Sequence, residues 1–165
     1  MKGARLWTFA AFLLGLVLVY VAASQQAVSP SDATALAGTL PSESTTTAGS
    51  IWSHNLIVAL TELVPIIGIG VAGFSAWITG LTTASITEVG KVPSSAVVEY
   101  LMTTPFFWLE FSGYALSLTA SLWLIMAAAK KRLRTELPYF VLTAAMMAAI
   151  LGVSALVEMS YILHP

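Results

Sequence analysis

Pro65-Ile-Ile-Gly68-Ile-Gly70-Val-Ala-Gly73-Phe74 contains the Gly-x-Gly-x-x-Gly spacing of a dinucleotide-binding turn, and its surroundings decide the fold. Such a turn needs a strand before it, a helix after it and an acidic residue about 20 positions on to hold the ribose. Glu88 falls near that distance. Residues 51–88, however, form an almost wholly apolar run in which Glu62 is the only formal charge before Glu88. No amphipathic strand and helix alternate there, so the phosphate reading fails. Another spacing fits: Gly68, Ala72, Ala76 and Gly80 recur every four residues, the small-residue stripe that lets helix backbones approach closely in lipid.

The rest of the chain agrees with a membrane solvent. Of its 165 residues 58% are hydrophobic and 9% charged, about a third of the charged fraction of a soluble domain. Each helical crossing needs about 20 apolar residues, so the length holds one all-α transmembrane bundle and no second domain. Cysteine is absent, which excludes disulfides, thiolate metal sites and thiol catalysis. Amides are scarce, with Asn55 the only asparagine and Gln25 and Gln26 the only glutamines. That composition fits a thermophilic, archaeal-like source as well as a lipid-facing chain.

The seven Lys and Arg residues set the expected topology. Lys2 and Arg5 precede the apolar residues 6–23, a first helix (residues 1–24) with its amino end in the cytoplasm. Its apolar core of about 18 residues exceeds the h-region of a secretory signal, so it reads as a retained helix. Residues 25–49, rich in Ser, Thr, Pro and Gly and free of Lys and Arg, read as a loosely structured external loop. Lys130, Lys131, Arg132 and Arg134 mark a cytoplasmic turn. If residues 106–129 return to that turn, residues 51–104 must start and finish outside, by crossing twice or by dipping in and returning. Pro65 and the glycines at 68, 70 and 73 are the natural break, so a broken or hairpin helix is expected over residues 65–73. A short helix is expected from Ser94, capped by its serines, with Pro105 opening the next crossing. The last helix is expected from near Pro138 to Ile162. The result is a multi-pass protein of the cell membrane with about five crossings, amino terminus inside and carboxyl terminus outside.

Further stripes of small residues, Gly113, Ser117 and Ser121, and Ala144, Ala148 and Gly152, suggest close packing on two more helices. Their serines are available for interhelical hydrogen bonds worth about 0.6 kcal/mol each. Carboxylates inside the apolar segments stand out more. Placing Glu62, Glu110 or Glu158 near mid-bilayer costs about 2.5–3.5 kcal/mol each. In the expected topology Glu110 and Glu158 lie at matching depths below the outer surface. Asn55 lies at a similar depth, and Glu62 is two turns further in on the same face. A polar cluster of Asn55, Glu62, Glu110, Tyr114 and Glu158, with Tyr161 beside Glu158, is therefore expected. It serves helix register, an ion or proton path, a buried substrate site or a cation site. His54 and His164 are expected at the outer interface, and Trp7, Trp52, Trp108 and Tyr139 as interfacial anchors. Trp77 and Trp123 fit that role less cleanly.

Enzyme signatures are missing. The chain has no His-Glu-x-x-His, no Gly-x-Ser-x-Gly, and only one aspartate, Asp32, so neither a paired-aspartate protease nor a metal hydrolase is supported. No catalytic residue, cofactor or metal site is expected. The expected partners are the lipid bilayer and other membrane proteins or copies of the chain, not nucleic acid.

Three segments in order carry a family resemblance: Asn55-Leu-Ile-Val-Ala59 running into Gly68-Ile-Gly70; Pro105-Phe-Phe-Trp-Leu-Glu110-Phe-Ser-Gly-Tyr-Ala115; and Ala149-Ile-Leu-Gly-Val-Ser-Ala-Leu-Val-Glu158. Over residues 51–162 the chain resembles the stage II sporulation protein M family of integral membrane proteins. Where that family has Pro-His-Gly, this chain has Pro105-Phe106-Phe107. The resemblance implies a membrane scaffold, and the three small-residue stripes, more than one small bundle needs, make a non-enzymatic membrane scaffold or accessory subunit of a larger assembly the leading expectation. The intramembrane glutamates raise a competing expectation, a small transporter or channel. A third is an accessory subunit of a respiratory or other energy-converting complex.

Overall fold

The computed structural model describes residues 2–39 and 46–163; the expectation for His164 lies outside them. Among the described residues the chain forms seven helices and no strand: α1 (Lys2–Ser24), α2 (Pro30–Ala37), α3 (Ala48–Glu62), α4 (Ile67–Gly90), α5 (Ser94–Thr103), α6 (Pro105–Ala129) and α7 (Leu133–Leu163). It is an all-α bundle. Four of the helices, α1, α4, α6 and α7, are long and apolar enough to cross a membrane. α3, at 15 residues, is only about 22 Å long at 1.5 Å per residue, less than the hydrocarbon thickness of ~30 Å.

The expected break is sharper than the glycines suggested. α3 ends at Glu62 and α4 begins at Ile67, so the reversal occupies residues 63–66, and Gly70 and Gly73 lie inside α4 with open space around them. The reversal turns on Ile66, whose φ of 74° and ψ of −54° with an Ile67 N–H donating to Pro65 O at 2.9 Å define a γ-turn of the rare positive-φ kind. A β-branched residue there is strained. Pro65 has no N–H to lose, and the amides of Leu63, Val64 and Gly68 are bonded to Ala59, Thr61 and Val64 carbonyls. Little backbone is therefore left for water to satisfy. Leu63 packs in one cluster with Ala120, Met147 and Leu151, and Ala120 lies roughly 14 Å of helix before the end of α6. The α3–α4 hairpin is thus anchored on the bundle through Leu63, while Val64, Pro65 and Ile66 at its tip are exposed.

Arg5 bonds Glu136 (2.5 and 2.7 Å), so the start of α1 and the α6–α7 turn share one end, the basic end. At the other end Ser94 Oγ donates to Ser24 O at 2.6 Å, and Tyr20 meets Phe107 and Phe111 edge to face. α1 packs along α4, where Tyr20 also bonds Thr83 (3.3 Å), and α6 and α7 form the most extensive helix pair.

Three expectations are corrected. Residues 25–49 are not all loose: Ser29 Oγ accepts from Asp32 N–H, Pro30 opens α2, and Ala33 is fully buried. Capping and first-turn proline make a helix of this polar stretch. Ser94 does not cap α5, whose N-cap is Pro93; its hydroxyl ties α5 to α1 instead. α7 starts at Leu133, not near Pro138. The bond that Pro138 removes falls on the carbonyl of exposed Arg134, where water can replace it.

Candidate functional site: an acidic cluster inside the bundle

Small residues let the site-bearing helices close up. A Cβ on Gly68 would run into the Glu62 carbonyl group, and one on Gly80 into Tyr20 O and the Ala23 methyl of α1. One on Gly113 would lie 2.6 Å from Leu151 of α7. Ala72 and Ala76 are buried between these contacts. Gly152 is looser, with the Trp52 indole 3.6 Å from a built Cβ, and Ala148 accepts that indole's N–H at 3.0 Å through its carbonyl. Trp52, expected as an interfacial anchor, thus clamps α3 to the middle of α7. Ser117, fully buried, returns its hydroxyl to Gly113 O of its own helix (3.3 Å), because a helical serine reaches the preceding turn more easily than a neighbouring helix. Between α6 and α7 the bridging serine is Ser154, donating to Phe106 O at 3.0 Å.

Of the acidic side chains inside the bundle, Glu62 is the most enclosed. It is 0% exposed, and neither carboxyl oxygen has a hydrogen-bond partner among the described residues. It closes α3 immediately before the strained turn. Glu110, one turn above Tyr114 on α6, accepts that tyrosine's O–H at 2.9 Å. The Glu110 carboxyl is near enough to those of Glu62 and Glu158 for their charges to interact, and Tyr114 feels all three. Glu158, half-buried on α7, closes the group from the third side. Among the described residues no Lys or Arg forms an ion pair with these glutamates.

Asn55 is buried and lines a cavity of about 220 Å³ together with Glu110, Tyr114, Ser75 and Thr79. His54, expected only at the outer interface, also lines this cavity while remaining exposed. Asn55, Glu110 and Tyr114 therefore share one space with room for several waters, while Glu62 and Glu158 reach the group through Glu110. Tyr161, one turn after Glu158 on α7, packs its ring on Phe106 at 5.6 Å. Trp7 is exposed, as an interfacial side chain should be, and Trp108 donates to Met102 O at 2.7 Å.

Sequence reasoning missed the polar lining from α4, because Ser75 and Thr79 sit among apolar neighbours and carry no charge. It also missed the pairing of Arg5 with Glu136. Both residues lie at the end marked by the basic residues, so the topology contained that signal. Arg5 further stacks on Trp123 and Tyr139, its guanidinium carbon 4.6 and 5.0 Å from the ring centroids. Those two rings are cation partners before they are membrane anchors.

No family model, curated protein or solved structure matches the chain.

Proposed function

We propose that the chain is a non-enzymatic membrane protein that takes up and passes a proton or small cation through its intramembrane glutamates, a small transporter or channel. The observation that carries this is Glu62, fully buried with both oxygens unpartnered among the described residues, beside a broken helix. A carboxyl kept only for helix register would be hydrogen-bonded, because leaving one orphaned costs about 1–3 kcal/mol or more. Ionisable groups inside membranes mark ion and proton paths by default, and discontinuous helices recur where such paths are built. The cavity offers an entry: His54 at its exposed side, then Tyr114 and Glu110, then Glu62. By the positive-inside rule the basic end faces the cytoplasm, which puts the carboxyl end outside and the cavity on the outer side of the hairpin turn.

Flux through reconstituted liposomes tests the reading. Glu62→Gln keeps the shape and removes the exchangeable charge, and proton or cation flux should fall to the level of empty vesicles. Equal flux from the variant and the parent would refute it.

A second reading is the one the family resemblance implies, a scaffold or accessory subunit. What favours it is the hairpin tip, where Val64, Ile66 and Ile67 are exposed by 44, 79 and 63%, an apolar face that a neighbouring subunit can cover. The small-residue stripes support it less, since Gly68, Gly80 and Gly113 are all occupied within the chain. A monodisperse monomer in mild detergent would count against this reading.

A further inference from the structure

The basic end carries a second cavity unrelated to the glutamates. α6 ends in a Schellman reversal: Arg132 N–H donates to Ala127 O (2.8 Å) and Lys131 N–H to Ala128 O (3.0 Å), with Lys131 left-handed at φ 55°. This folds Arg132 back over the last turn of α6. The result is a cavity of about 200 Å³ bounded by Lys130, Arg132, Thr135, Glu136 and Trp123.

Its charge balance is positive. Glu136, the one carboxylate in the wall, has both oxygens bonded to Arg5. Neither Lys130 nor Arg132 has an anionic partner among the described residues. The Trp123 ring forms another part of the wall, and the Arg5 guanidinium stacks on it. Two uncommitted cations on the wall of a space large enough for a tetrahedral anion describe a phosphate cradle. The cradle lies where two membrane-crossing helices end, at headgroup depth, and basic pockets in that position bind anionic headgroups.

We propose that this cavity binds the phosphate of an anionic phospholipid, one per chain, with Lys130 and Arg132 as its ligands. The full-length protein in mild detergent, followed by native mass spectrometry, provides the test. Phosphatidylglycerol should add a single tightly held molecule, and phosphatidylcholine should not. The double variant Lys130→Gln/Arg132→Gln, at two exposed positions, should weaken that binding roughly thirtyfold, the factor that two cations near a membrane surface contribute. Lys131→Asn/Arg134→Gln removes the same charge from the same turn but outside the cavity, and should leave it within a few-fold. Equal loss in both variants would mean that loop charge alone binds the lipid and would overturn the proposal. So would unchanged binding in the first variant. Displacement of the lipid by millimolar inorganic phosphate would assign the cradle to a free anion instead.

Discussion

Replacing Gly80 with alanine tests the contact on which the bundle's compactness rests. A methyl at this position meets Tyr20 O, the Ala23 Cβ at 2.6 Å and Ser24 N at 3.0 Å. These obstacles are backbone atoms and the stub of an alanine, so no side chain can rotate away. α1 and α4 must separate by roughly 1 Å, a gap that forfeits a quarter to a half of each van der Waals contact across the interface. Over a helix pair that also buries Leu16, Ala72 and Ala76 the loss is about 2–3 kcal/mol, within the usual range for overpacking. Gly73→Ala is the matched control. It lies in the same helix with nothing within 4 Å, and alanine there gains up to about 1 kcal/mol of helix propensity. Equilibrium unfolding in mixed micelles, followed by near-ultraviolet circular dichroism, should separate the two variants by about 3 kcal/mol, more than a hundredfold in the unfolding constant. Gly113→Ala should fall between them, because the Leu151 side chain can yield. Equal stability of the Gly80 and Gly73 variants would show that α1 and α4 do not approach as described.

Two further outcomes follow from the turn and the basic end. Ile66→Gly should stabilise the protein by about 1–2 kcal/mol in the same unfolding assay, because it removes the left-handed penalty from a side chain that is 79% exposed and packs little. Arg5→Ala should destabilise by about 3 kcal/mol, since it strands the buried Glu136 carboxylate and uncovers Trp123. Arg5→Lys should recover only part of the loss, because an ammonium cannot make the two-pronged contact or stack as a guanidinium does; full recovery would show that charge alone matters there.

The bundle was legible in the sequence because membrane physics leaves few choices. Apolar run lengths gave the long helices, the basic residues at 130–134 gave the α6–α7 turn, and Pro65 with Gly68 marked the hairpin. What escaped was local geometry. The γ-turn at Ile66 was not legible, since no propensity argument places a β-branched residue at positive φ. α2 was hidden by a composition typical of loops, although Ser29, Pro30 and Asp32 together make an N-terminal signature. The carboxylates were conspicuous by their cost, which is why Glu62, Glu110 and Glu158 could be singled out. Tyr114 was legible too, as the partner of Glu110 by helical spacing, whereas the isolation of Glu62 was not, because it depends on how α3 ends. Ser117 and Ser154 look alike in sequence; only their neighbours decide which hydroxyl crosses between helices.

The central claim is that Glu62 exchanges a proton or cation from a dry position inside the bundle. Carbodiimide labelling measures that directly, because dicyclohexylcarbodiimide partitions into membranes and modifies protonated carboxyls there, whereas a charged, water-soluble carbodiimide reaches only carboxyls open to solvent. Peptide mapping by mass spectrometry should find Glu62 modified by the first reagent and spared by the second, with exposed Glu99 showing the reverse. Modification of Glu62 by the water-soluble reagent, or by neither, would contradict the account.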